Sequence, residues 1–214
     1  EDAAQGFGGQ LSGNKAGSLA GVACTSFFPA KPLGGYGDGG ALFTNDETKA
    51  ELFRSLRVHG QGSDKYENVR LGVTGRLDEI QAAVLLPKLE IFPDELEERQ
   101  RVAAQYNELI LASGLELVTP TIPDGYLSAW AQYTVLAADE SARKSFQAKL
   151  ASEGLPSMIY YPKPLHLQQA FSNLNYQKGD FPVSEMAADR VFSLPMHPYL
   201  DNESIAKIVD TLKG

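Results

Sequence analysis

The chain has 214 residues, which is enough for one large or two modest domains. Hydrophobic residues make up 43 %, an ordinary proportion for a globular protein. The formal net charge of −8 argues against nucleic acid or an anionic membrane as a partner, because both attract positive surfaces. The one cysteine, Cys24, excludes an intrachain disulfide and is typical of a reducing, cytoplasmic environment. The three dispersed histidines and this cysteine predict no metal site.

The chain opens with an acidic pair followed by small residues, E-D-A-A-Q at 1–5. The carboxylate of Asp2 could cap the N-terminus of a helix, or it could accept a hydrogen bond from a ligand N–H group. Gln5 could be an ordinary polar residue near a turn. These residues alone leave the alternatives open.

A lysine follows the first apolar run, in T-S-F-F-P-A-K-P-L at 25–33. Lys31 lies five residues after Ser26 and just before the glycine run at 34–40. A lysine amine can form a Schiff base with a carbonyl compound, whereas the simpler interpretation is a surface lysine in a glycine-rich loop. The glycines do not match a phosphate-binding P-loop, whose Lys and Ser/Thr follow the glycines. We expect them to permit tight turns and close approach to another element, with Cys24 and a strand at 41–44 both buried.

The next segment combines a basic turn, R-V-H-G at 57–60, with G-R-L-D-E-I-Q-A-A at 75–83. Arg76 could bind a carboxylate through both guanidinium nitrogens, or it could form a salt bridge with Asp78 or Glu79 at a helix start. A long apolar helical pattern follows, and Pro87 and Pro93 should kink or break it.

The remaining sequence alternates short strands and helices, which predicts an α+β domain over 89–214 beside a first region over 1–88. We expect strands at 130–138, 158–160 and 192–195, and an extended loop at 161–164. Asp139 and Asp201 are predicted N-caps of two helices.

Six segments in the same order resemble the sugar aminotransferases of the DegT/DnrJ type. They are E-D-A-A-Q, T-S-F-F-P-A-K-P-L, G-D-G-G at 37–40, R-V-H-G, G-R-L-D-E-I-Q-A-A, and S-L-P-M-H-P at 193–198. The resemblance implies an α/β fold of the type I pyridoxal 5′-phosphate (PLP) transferases, which is the aspartate aminotransferase fold. Residues 1–88 would then be the later part of the large PLP-binding domain, and 89–214 the small C-terminal domain.

The resemblance also implies roles for the cofactor-binding residues. Lys31 would be the catalytic lysine that forms the Schiff base and moves the proton. Asp2 would accept from the pyridine nitrogen, Gln5 would pack on the ring, and Ser26 would donate to the phosphate. Thr74 stands where relatives commonly carry an Asn that touches the phosphate, so its shorter side chain is a departure.

Substrate contacts are implied for four further residues. Arg76 lies in a segment that reaches the neighbouring subunit's site in relatives, which implies a homodimer with shared active sites. His59 would line the site, and Tyr161 and His166 belong to a loop that lines the sugar pocket in relatives. Many relatives carry a His at the position of Tyr160, and this difference leaves the sugar contact open.

The activity implied is transfer of an amino group from an amino acid, glutamate being expected, to a keto nucleotide-sugar. The sequence most resembles bacterial enzymes that aminate C3 of UDP-2-acetamido-2-deoxy-3-oxo-glucuronate for surface polysaccharide (lipopolysaccharide O-antigen) synthesis. The alternatives are a 3-keto or 4-keto 6-deoxy sugar on dTDP or GDP, and a non-catalytic regulator. Related dehydrases replace the lysine with His, and Lys31 is intact. Because Glu1-Asp2 aligns with the end of a central strand, we expect the sequence to be part of a longer polypeptide.

Overall fold

A computed structural model describes residues 1–214 as a mixed α/β chain with eight short strands and five α-helices. No helix is both long and apolar enough to cross a membrane. In chain order the elements are β1 Gln10–Leu11, β2 Asn14–Lys15, β3 Ala23–Ser26, β4 Gly40–Phe43, α1 Glu47–Leu56, α2 Glu79–Ser113, β5 Leu117–Val118, β6 Tyr126–Leu127, β7 Tyr133–Ala137, α3 Glu140–Ser152, α4 Pro182–Arg190, β8 Val191–Leu194 and α5 Asn202–Lys213. Two 3₁₀ helices, Leu165–Leu167 and Gln169–Leu174, precede α4.

The chain forms two compact units, 1–97 with 122–131, and 98–121 with 132–214. The predicted boundary at 88/89 falls inside α2, and the domains 1–88 and 89–214 stay a prediction.

The first unit contains two small antiparallel sheets, ordered β2–β1–β6 and β3–β4. Its apolar cluster joins Leu33, Leu85 and Phe92, with Phe7 stacked against Phe92 at a ring distance of 5.8 Å. This cluster packs residues of α2 against the segment that follows Lys31, and it therefore fixes the position of that segment.

Two sequence expectations about the β3–β4 sheet are wrong. Cys24 is exposed, and Leu42 is 56 % exposed although we expected a buried strand. The two residues pair across the sheet and share one face. The buried residues Ala23 and Thr25 lie on the opposite face of the sheet. The face that carries Cys24 and Leu42 is exposed because no other part of the chain covers it.

Helix α2 does not end at either of its prolines but continues from Glu79 to Ser113. An internal proline costs about 3 kcal/mol, because it removes a hydrogen bond and clashes with the preceding turn. Burial of Leu85 and Phe92, at roughly 1.5–3 kcal/mol each, is of the same size. Packing therefore holds the helix together where the local sequence favours a break.

The second unit is a three-stranded antiparallel sheet, β5–β7–β8, with helices packed on it. Tyr133, Val135 and Phe192 are fully buried on the inner face. Strand β7 is shorter than predicted, since Trp130 has a φ of +48° and cannot continue an extended strand. The predicted strand at 158–160 is reduced to one bridge between Met158 and Ser193.

The two predicted helix caps are confirmed. The side chain of Asp139 accepts from the Ala142 N–H at 2.8 Å, and that of Asp201 accepts from the Ser204 N–H at 2.7 Å. Each satisfies a backbone donor that the first turn of a helix leaves open. Helix α5 then buries the face predicted from its spacing, namely Ile205, Ile208, Val209 and Leu212.

Candidate active site

Asp2 and Ser26 lie on one face of the strand β3. Asp2 forms a parallel bridge with Cys24, and Ser26 follows two positions later on the same strand. Paired residues in a parallel ladder share a face, and side chains along a strand alternate between faces. The carboxylate and the hydroxyl therefore project to the same side, while Ala3 and Thr25 are buried on the other.

The Asp2 carboxylate is held by the turn that follows it. Its Oδ1 accepts from the Ala4 N–H at 2.9 Å. The residues after it form turns rather than a helix, so the helix-cap alternative for Asp2 does not apply. A carboxylate has about four acceptor positions, so this bond leaves capacity for a ligand N–H. Gln5 is exposed in the same turn and makes no side-chain hydrogen bond.

Lys31 lies at a chain reversal directly after β3. The Ser26 hydroxyl accepts from the Phe28 N–H at 3.2 Å, and the Lys31 N–H donates to the Phe28 carbonyl at 2.8 Å. Lys31 is a partly buried residue, and its ammonium forms no hydrogen bond or ion pair within the chain. Backbone contacts thus fix the base of this side chain and leave its nitrogen available.

The glycine run permits the close approach expected from the sequence. A Cβ on Gly34 would lie 2.5 Å from the Pro29 carbonyl oxygen, and one on Gly39 would lie 2.7 Å from a Leu77 methyl group. Beyond this, Phe27 donates to the Gly39 carbonyl at 2.8 Å. A side chain at Gly34 would push against the backbone at Pro29, and one at Gly39 would displace the Leu77 side chain.

His59 and Thr74 contact each other in the loop after α1. His59 has a φ of +62°, its N–H donates to the Val73 carbonyl at 3.0 Å, and its Nδ1 lies 3.4 Å from the Thr74 hydroxyl. Both side chains are exposed. Arg76 is exposed too and forms no salt bridge with Asp78 or any other acid of the chain. The helix-start ion pair expected as its alternative is absent, and the guanidinium is available to a ligand.

Tyr161 and His166 belong to the second unit and differ from each other. Tyr161 is 62 % exposed, and its ring packs edge-to-face against that of Tyr160 with the ring centres 5.6 Å apart. The side chain of His166 is only 7 % exposed, and its Nε2 lies 2.9 Å from a carboxylate oxygen of Glu185. The His166 ring also packs against the Phe181 ring, with the ring centres 4.7 Å apart. Its ring therefore has structural partners, while Tyr161 is open to a ligand.

Glu185 is a residue that sequence reasoning missed. It accepts from the Gly179 N–H at 2.8 Å, from the Phe181 N–H and from His166, and so ties α4 to the loop before it. The hydrogen bond from Gly179, together with that from His166, holds the pKa of Glu185 below its usual value. Glu185 and His166 are 19 residues apart in the sequence, so no local sequence pattern indicated that they would pair.

Gln81 and Lys88 were also missed, although Gln81 lies within a quoted motif. The Gln81 side-chain oxygen accepts from the Tyr36 N–H at 2.7 Å, and the Lys88 ammonium donates to the Gly34 carbonyl. Both contacts join α2 to the glycine run. Only spacing along α2, with the two residues seven apart, could have indicated a shared face.

The comparisons with known proteins identify the family. The chain belongs to the DegT/DnrJ/EryC1/StrS aminotransferase family, whose model matches residues 1–213. It is 49 % identical over 212 residues to the UDP-2-acetamido-2-deoxy-3-oxo-D-glucuronate aminotransferase of Pseudomonas aeruginosa, covering 99 % of this chain and 56 % of that protein. It is 43 % identical to a pleiotropic regulatory protein of Geobacillus stearothermophilus, with the same two coverages.

A solved structure gives the same result for the fold. A DegT/DnrJ/EryC1/StrS aminotransferase from Brucella abortus superposes with a TM-score of 0.91 at 48 % identity, covering 99 % of this chain and 55 % of that one. The predicted fold class, the type I fold of PLP-dependent transferases, is confirmed. The chain spans a little over half the length of these relatives.

Proposed function

We propose that this chain is the catalytic part of a PLP-dependent aminotransferase acting on a keto nucleotide-sugar. The observation that carries the proposal is the available amine of Lys31, placed directly after the strand that presents Ser26 beside Asp2. The name of the 49 % identical relative supports the narrower substrate, UDP-2-acetamido-2-deoxy-3-oxo-glucuronate with its ketone at C3. Glutamate as the amino donor and surface polysaccharide as the destination are further parts of the proposal and rest on the sequence resemblance.

The donor set fits pyridoxal 5′-phosphate. A carboxylate suits the protonated ring nitrogen, hydroxyls suit the phosphate, and an unpaired primary amine suits the aldehyde. Asp2, Ser26 and Lys31 supply these groups, and Gln5 and Thr74 would complete the binding site. When bound, the cofactor supplies an electron sink for carbanion chemistry.

The protein's own contribution is to hold and to move protons. Lys31 would anchor the cofactor and carry the proton between the donor carbon and the acceptor. Asp2 would keep the ring nitrogen protonated, because a nearby negative charge raises the pKa of that nitrogen and a neutral acceptor does not. Arg76 would bind the uronate carboxylate through two parallel hydrogen bonds. His59 and Tyr161 are proposed sugar contacts, and His166 is proposed to support Tyr161's loop.

The test is covalent labelling of the purified protein with pyridoxal phosphate. Borohydride treatment should fix the cofactor to Lys31, and addition of glutamate beforehand should prevent it. Lys31→Ala should abolish both labelling and turnover, while Lys15→Ala, a change at an exposed lysine, should leave them intact. Turnover that persists with an unlabelled Lys31 would contradict the proposal.

The substrate class can be tested at Arg76. If it binds a uronate carboxylate, Arg76→Ala should lower kcat/KM for the uronate substrate about 100-fold, because a charge-assisted pair is lost. The loss with a 6-deoxy sugar on dTDP should be small. Equal losses on both substrates would count against the uronate as the substrate.

A regulatory role is the second candidate, since one relative at 43 % identity is a pleiotropic regulatory protein. A regulator could keep the cofactor-binding fold without turnover. Detection of glutamate-dependent amination of a keto sugar would exclude a purely non-catalytic role.

The proposal includes a cytoplasmic homodimer with shared active sites and no nucleic acid or membrane partner. The net charge of −8 supports the last point, and the free thiol of Cys24 is compatible with a reducing compartment. The segment before Arg76 supports the dimer, because Leu71 is 96 % exposed and Val73 is 65 % exposed. Neighbouring exposed apolar residues are typical of protein–protein contacts.

A further inference from the structure

The loop that carries Lys31, residues 27–40, is attached to α2 at three places. Leu33 packs against Leu85 and Phe92, and the hydrogen bonds at Gln81 and Lys88 lie on either side of Leu85 along the helix. We propose that Gln81 and Lys88 are positioning residues, whose contacts hold the loop so that Lys31 points its amine at the cofactor. The inference rests on the proposed function of Lys31.

The Gln81 contact is built into the shape of the loop. Its side-chain oxygen accepts from the Tyr36 N–H at 2.7 Å. A Cβ on Gly35 would lie 2.9 Å from that oxygen, and a Cβ on Gly37 would lie 2.9 Å from the amide nitrogen. The loop therefore closes around the amide group, and a side chain at either glycine would displace that amide from its contact with Tyr36.

The Lys88 contact fixes the buried side of the same loop. Its ammonium donates to the carbonyl of Gly34, a residue that is itself buried, and lies 5.9 Å from the centre of the Tyr36 ring. A hydrogen bond from a charged donor contributes more than a neutral one. The lysine is thus committed to the loop rather than to solvent.

These contacts determine the position of the Lys31 backbone, from which the side chain extends. On one side its backbone is tied to β3 through Phe28, and Phe27 bonds to Gly35 and Gly39 across the base of the loop. On the other side the segment 33–37 is tied to α2. Lys31 itself has a single backbone bond and no side-chain partner. Its direction accordingly depends on the two anchored ends.

The test compares Gln81→Leu and Gln81→Glu. Leucine removes the acceptor at similar size, whereas glutamate keeps an oxygen for the Tyr36 N–H. Hydrogen exchange at Tyr36 should accelerate about tenfold in Gln81→Leu and stay near wild type in Gln81→Glu. In cofactor-free protein, the rate at which an acylating reagent labels Lys31 should change in the leucine variant. In the loaded enzyme kcat should fall about tenfold with little change in KM for the sugar.

Lys88 gives an independent arm, and the same helix offers a control. Lys88→Met should accelerate exchange in the segment 33–37 and lower kcat, while Lys88→Arg, which keeps a charged donor, should restore much of both. Glu90→Gln changes an exposed residue of α2 that forms no hydrogen bond or ion pair with the loop, and it should match wild type. Exchange at Val135, in the second unit, reports any general loss of stability.

The outcomes separate this inference from the proposed function. If Tyr36 exchange and kcat in Gln81→Leu equal those of Glu90→Gln, the inference is overturned. Faster exchange with unchanged kcat and unchanged Lys31 labelling overturns it too, because the loop would be held without positioning the amine. If wild-type Lys31 takes no cofactor, the proposed function fails, whereas the Tyr36 exchange rates still show whether α2 holds the loop.

Discussion

At the scale of single residues, the candidate site depends on which polar groups lack partners within the chain. Lys31 and Arg76 have charged groups without an ion pair, whereas His166 is bonded to Glu185 and packed on Phe181. Charged and polar groups with free bonding capacity are available to a ligand, and satisfied ones are more often structural. The same residue types in the sequence thus have different uses in the fold.

The charge of Asp2 can be tested without disturbing its turn. Asp2→Asn keeps an oxygen for the Ala4 N–H but removes the negative charge. We expect stability to be unchanged and kcat to fall about 100-fold or more, because a neutral amide does not favour a protonated ring nitrogen. Steady-state kinetics and urea unfolding of the same preparation measure the two effects. An active Asp2→Asn enzyme would remove Asp2 from the cofactor site.

Substitutions of His166 and His59 should have different effects on the stability of the protein. His166→Ala is expected to lower the free energy of unfolding by about 2 kcal/mol, since it removes a buried ring and leaves the Glu185 carboxylate without one partner. His59→Asn should change it by less than about 0.5 kcal/mol, because His59 is exposed and Asn tolerates its positive φ. Urea denaturation compares the two variants, and equal effects would contradict the assignment.

At the scale of elements, the close approach of Gly34 to Pro29 gives a prediction about the Lys31 loop. Gly34→Ala would place a Cβ 2.5 Å from a backbone carbonyl that cannot move aside easily. We expect a loss of about 2–3 kcal/mol in unfolding free energy or a displaced loop with weaker cofactor binding. Gly21→Ala is the matched control, since its Cβ would meet nothing within 4 Å and its φ is not positive. Thermal unfolding with and without pyridoxal phosphate distinguishes the variants.

The stabilisation that the N-cap residue Asp201 gives to α5 should decrease as the pH falls. Hydrogen bonds from the Ser204 N–H and hydroxyl lower the pKa of Asp201 below 3.8. The folded state therefore favours the charged form, so this stabilisation is present above the unfolded pKa of 3.8 and is lost as pH falls through the lower, folded pKa. Asp201→Asn keeps a cap that does not titrate. The stability difference between wild type and this variant should shrink between pH 5 and pH 2 in urea titrations, and a difference independent of pH would refute the assignment.

At the scale of the whole molecule, the exposed apolar segment near Arg76 predicts self-association. Leu71→Asp should shift a dimer towards monomer, because a charge would be buried at the contact. Val183→Asp, a change at a 73 % exposed residue of α4, should leave the oligomeric state unchanged. Sedimentation equilibrium measures both variants. A fully dimeric Leu71→Asp protein would place the subunit contact elsewhere.

Local patterns were sufficient for some parts of the molecule. The caps at Asp139 and Asp201 and the buried face of α5 depend on residues within a turn or two of each other, and each was predicted correctly. The ordered motifs around Lys31 were sufficient for the family and the fold class, since they reflect a shared ancestral chain rather than contacts that must be worked out.

The tertiary structure alone decided the features that join distant residues. It carried α2 past Pro87 and Pro93 by burying Leu85 and Phe92, and it left Cys24 exposed where its apolar surroundings in sequence suggested burial. It paired His166 with Glu185 and Lys88 with Gly34, across 19 and 54 residues. Such contacts depend on how elements pack, and packing is set by the summed burial of many side chains, which no local pattern records.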